Sequence, residues 1–66
     1  MMVEKSDGHV VYLYRDNIVD IIPPLRNRLG YIVLRGGFIV TLSEETNIGP
    51  IVEWAFGDYF VVHRPI

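Results

Sequence analysis

The chain has 66 residues, enough for one small domain and too few for a cofactor domain joined to a second one. Half of its residues are hydrophobic and six more are glycine, above the roughly 45–50% that these groups together reach in an average soluble domain. A net charge of −2 argues against a protein whose main work is neutralising phosphate, and the absence of cysteine excludes a disulfide framework and thiolate metal sites.

A domain near this size buries only about 60% of the surface its unfolded chain exposes, so the apolar surplus is expected to meet a partner. The longest uncharged stretch, Gly36 to Ser43, falls far short of the roughly 20 residues of a membrane-spanning helix. Residues 1–8 carry charges early and lack the apolar core of a signal peptide, which points to a cytoplasmic protein with no membrane segment. The whole chain, 1–66, reads as a single small β domain whose residues 1–8 and last two residues fray.

In chain order, His9 to Tyr14 is a convincing strand, and Arg15-Asp16-Asn17 can turn it back into Ile18 to Ile22 as a hairpin. The rival reading of residues 16–22 is helical: Asp16 would be the N-cap, and Ile18, Ile21, Ile22, Leu25 and Leu29 follow a helical spacing. Pro23-Pro24 decides for a strand, because an interior proline costs a helix about 3 kcal/mol or more. Pro24 is then placed to open one helical turn over residues 24–29, with Gly30 as its stop.

Tyr31 to Leu42 is the clearest signal, two β-rich runs around Gly36-Gly37. Pairing Arg35 with Phe38 puts Tyr31, Val33, Phe38, Val40 and Leu42 on one face with Arg35, and Ile32, Leu34, Ile39 and Thr41 on the other. Both faces are apolar, so this hairpin belongs at the centre of a sheet or in an interface. A second hairpin is expected over residues 51–64, turning at Gly57-Asp58 and pairing Glu53 diagonally with Arg64. Thr46 to Pro50 reads as turn chemistry between the two.

No chemistry-bearing constellation stands out. His9 and His63 lie far apart in sequence, with no metal-ligand spacing. Ser6, Asp7 and His9 supply the residue types of a nucleophilic triad but crowd into one terminus without rigid support. Glu44 and Glu45 read as a solvated loop, and the single Arg35-Gly36-Gly37 triplet as a turn. The eight aromatic rings form the richest collection, and a core in so small a domain accounts for most of them.

The expected fold is therefore mainly β: a small antiparallel β-barrel or sandwich of five to six strands built from consecutive hairpins, with one short helical turn near residues 24–29. It looks like the SH3-like and OB-like small barrels in element count alone, which transfers no function. The expected role is a non-catalytic protein–protein interaction or assembly module, partnered by itself or another protein, with Tyr31, Val33, Leu34, Phe38 and Val40 at the interface. The alternative is a small nucleic-acid-binding or regulatory domain using Tyr12, Tyr14, Arg26, Arg28 and Arg35, which the net charge disfavours. No catalytic, cofactor-binding or metal-ligating residue is assigned.

Overall fold

The computed structural model describes residues 1–63, with side chains as far as Gly57. Five short strands and one helix follow one another: β1 (Met2–Glu4), β2 (Val10–Tyr12), β3 (Ile18–Ile22), β4 (Tyr31–Leu34), β5 (Ile39–Thr41) and α1 (Ile48–His63). The chain is mainly β, with β1 and β2 forming one antiparallel sheet and β3, β4 and β5 another. An antiparallel bridge between Lys5 and Leu42 joins the two. It is flanked by bonds from the Ser6 N–H to the Thr41 carbonyl (2.9 Å) and from the Ser43 N–H to the Glu4 carbonyl (3.1 Å). The strands thus run in the spatial order β2, β1, β5, β4, β3. Among the described residues β2 and β3 remain open edges, and the expected barrel does not close.

The first hairpin is a correction in two respects. Residues 2–4, in the segment expected to fray, form β1, and β2 pairs with β1 instead of turning back onto β3. The reason is local: Ser6-Asp7-Gly8 is a three-residue loop whose last position needs positive φ, and Gly8 supplies it at 88°. The Asp7 carboxylate accepts the His9 N–H at 3.0 Å inside that loop. Val3 is thereby buried.

Strand β3 forms where expected, and its register explains the helical spacing of its isoleucines. Ile18 lies opposite Leu34 and Asp20 opposite Val33, so Val19 is an extra residue in a β-bulge. The bulge lets Ile18 and Ile21, three apart, both enter the core from one strand. Beyond Ile22 the ladder is interrupted at Pro23-Pro24, which cannot donate, and resumes as a bridge between Leu25 and Arg28 in the same register. Residues 24–29 are therefore the tip of the β3–β4 hairpin and not a helical turn. The Leu25 N–H donates to the Arg28 carbonyl at 2.8 Å across Arg26 and Asn27. Gly30 makes room for this crossing: a Cβ there would stand 3.1 Å from the Pro24 ring and from the Ile22 carbonyl oxygen.

The β4–β5 hairpin exists, in a register shifted by one residue from expectation. Tyr31 pairs with Thr41, Ile32 with Val40 and Val33 with Ile39, leaving a three-residue loop of Arg35, Gly36 and Gly37. Both glycines take φ of 85°, which side-chain-bearing residues rarely adopt. A one-residue slip exchanges the faces of one strand. Phe38, Val40 and Leu42 accordingly share the face of Ile32 and Leu34, while Ile39 and Thr41 share that of Tyr31 and Val33.

The expected hairpin over residues 51–64 is instead helix α1. Asn47 is its N-cap, its side-chain oxygen accepting the Gly49 N–H at 3.0 Å, and Pro50 falls in the first turn, where a missing N–H costs nothing. Ile48, Ile51, Val52 and Ala55 recur at helical spacing and pack on the core. The expected pair of Glu53 with Arg64 lies outside the described residues. The core consists of Val3, Leu13, Ile18, Ile21, Ile32, Leu42 and Ile51, with Ile32 wholly inaccessible. It is roofed by α1 on one side of β3–β4–β5 and leaves the other side of that sheet without a covering element among the described residues.

Candidate functional site

Alternation along β3, β4 and β5 decides which side chains face away from α1. They are Asp20, Ile22, Tyr31, Val33, Ile39 and Thr41. Four of the six are large and apolar. Ile39 is 58% exposed, whereas Tyr31, Val33 and Ile22 are half-buried. The guanidinium of Arg28 lies 5.2 Å from the Tyr31 ring centroid and borders this surface at the hairpin tip. An uncovered sheet face ordinarily carries polar side chains in water. Apart from the Tyr31 hydroxyl, this one carries polar groups only at its margins, Asp20 and Thr41.

Of the expected interface residues, the structure brings Tyr31 and Val33 together on this surface. Leu34 and Val40 turn to the opposite, inner face and pack on the core. Phe38 stands at the end of the hairpin, 71% exposed, with its ring over Gly36, where an added Cβ would approach it to 3.1 Å. Ile22 and Ile39 join Tyr31 and Val33 on the outer patch. The two-sided hydrophobicity of residues 31–42 was visible in the sequence; the register that sorts it into faces was not.

The nucleic-acid set is only partly assembled. Tyr12 and Tyr14 are both exposed, their ring centroids 5.0 Å apart and tilted by 58°. Arg26 and Arg28 sit at the tip of the β3–β4 hairpin, while Arg35 follows the far end of β4, about 20 Å of strand away. Two of these arginines already have partners: the Arg28 Nη2 donates to the Pro23 carbonyl and the Arg35 Nε to the Asp16 carbonyl, at 2.9 and 2.8 Å. Another cation, Arg15, lies 5.7 Å from the centroid of Trp54 and ties the β2–β3 connection to α1.

Titratable groups cluster at the first turn. Lys5, half-buried, approaches Asp7 at 3.7 Å and the His9 Nδ1 approaches it at 3.1 Å, with Asp7 and His9 exposed. The backbone hydrogen bond from His9, then that from its side chain, hold the Asp7 carboxyl below the ordinary aspartate range. Among the described residues no three His, Asp or Glu side chains gather as metal ligands. A shallow cleft of about 440 Å³ is bordered by residues 24–29 and Glu44. No described helix is long and apolar enough to cross a membrane. The chain matches no family model, and no curated protein or solved structure matches it.

Proposed function

We propose that this protein is a non-catalytic assembly module that associates with further copies of itself. The observation that carries the reading is the outward face of β3–β4–β5, where Ile22, Tyr31, Val33 and Ile39 form an apolar patch on a sheet with no described element above it. A patch of this kind on a folded chain is more stable covered than hydrated, at about 25 cal/mol per Å² of apolar surface removed from water. A copy of the chain offers a matching surface, because a two-fold contact pairs the patch with itself and the central side chains carry no charge to be desolvated.

Light scattering at micromolar concentration tests this reading. The wild-type chain is expected to run above its single-chain mass, and Val33→Arg or Ile39→Arg is expected to give folded chains of lower mass. A wild-type protein that stays a monomer throughout the accessible concentration range would remove the proposal.

A further inference from the structure

The patch contact leaves the edges of the sheet unused, and the open edge of β2 offers a second contact between copies, separate from the patch. Backbone bonding between β1 and β2 alternates. Leu13 donates to the Met1 carbonyl at 2.6 Å and Lys5 to the His9 carbonyl at 2.7 Å, and Val3 opposite Val11 occupies the position between them. The N–H and C=O groups of Val10 and Tyr12 consequently point away from β1. No described strand lies on that side to receive them. The side chains that accompany these groups, Val10 and Tyr12, stand 55% and 58% exposed, next to Met2 and Tyr14 at 66% and 64%.

The two open edges of the molecule differ in how they are guarded. Strand β3 carries a bulge at Val19, a charge at Asp20 and two prolines immediately after it, the usual devices against strand addition. Between His9 and Tyr14 the β2 edge has no bulge, no proline and no carboxylate, ammonium or guanidinium.

We propose that β2 pairs antiparallel with β2 of a second copy across a two-fold axis through Val11. In this register Val10 of one copy lies opposite Tyr12 of the other. All four outward backbone groups of each chain are then bonded, giving four hydrogen bonds between the copies and a continuous β1–β2–β2–β1 sheet. A register one step to either side on this edge matches fewer of them. The flanks agree with the same axis. Continuing the pairing outward brings Gly8, which has nothing within 4 Å of an added Cβ, opposite the exposed Tyr14 of the other copy. It also brings Asp7 towards the other copy's Arg15, opposite charges at both ends. A parallel arrangement would set like beside like. The outer faces of the two hairpins merge, so Met2, Val10 and Tyr12 of both copies form one apolar surface with Glu4 of each copy on it beside Val10.

This inference rests on the reading of self-association and adds to the patch a second contact, along the β2 edge. Its test combines amide hydrogen exchange on the wild-type chain at two concentrations with sedimentation of Val10→Pro, which removes one outward N–H per chain and no bond within it. The Val10 and Tyr12 amides are expected to become protected as concentration rises, and Val10→Pro to raise the dissociation constant about tenfold or more. Should Val10→Pro fail to fold, the exchange measurement decides alone. Assembly with Val10 and Tyr12 amides exchanging as open groups at every concentration would overturn the β2 pairing and leave self-association standing. A chain that is monomeric throughout would overturn both.

Discussion

Single residues decide several local outcomes here, and Gly57 is the most instructive. In a hairpin it would be the first turn residue, with positive φ; in α1 it is an ordinary helical position whose added Cβ would meet the Glu53 Cγ at 3.8 Å. Gly57→Ala is therefore expected to raise stability by up to about 1 kcal/mol, read as a higher thermal midpoint. A type II′ turn at that position would respond with a loss. Asp7 gives a second residue-scale prediction. Because its folded-state pKa is lowered by bonds from His9, the stabilisation it contributes is complete above the ordinary aspartate range and is lost as pH falls through the lowered value. Asp7→Asn keeps an oxygen able to accept the His9 N–H. Its stability deficit relative to wild type is expected at neutral pH and should vanish in acid, measured by denaturant melts across the pH range.

Elements depend on registers, which are set by turns as much as by patterns. The three-residue loop of Arg35, Gly36 and Gly37 moves Val40 to the inner face beside Ile32, so Val40→Arg places a charge against the core and is expected to unfold the chain. Val33→Arg, one position from the buried Ile32, is expected to leave it folded. Circular dichroism of the two variants separates this register from the two-residue-turn alternative, in which Val33 and Val40 share a face and behave alike. The β4–β5 hairpin was legible in the sequence because Gly-Gly between β-rich runs has few other uses. Strand β3 was legible because Pro23-Pro24 forbids the competing helix. Strand β1 was missed although its signal was present: Ser6-Asp7-Gly8, like Arg35-Gly36-Gly37, is a three-residue turn that ends on a glycine of positive φ, and Met2, Val3 and Glu4 alternate outward, inward and outward. Helix α1 was missed because Val, Ile and aromatic residues favour strands, and because Asn47, which caps the helix, is also a turn residue.

At the scale of the whole molecule, the strand order β2, β1, β5, β4, β3 leaves two edges, and α1 covers only one side of β3–β4–β5. The proposed self-association would bind the folded state and not the unfolded one, so on that reading the thermal midpoint is expected to rise with protein concentration. Differential scanning calorimetry over a hundredfold concentration range measures this, and a midpoint independent of concentration would count against assembly. The apolar surplus over what so short a chain can bury, the predominance of strands and the central place of residues 31–42 were all determined by the sequence alone, because they follow from composition and from local turn chemistry. Which partner each strand takes, which face each side chain joins, and whether residues 48–63 become strand or helix were decided only by the tertiary structure. Those choices turn on shifts of a single residue in register, and on which element can reach and cover Ile32, neither of which local preference can weigh.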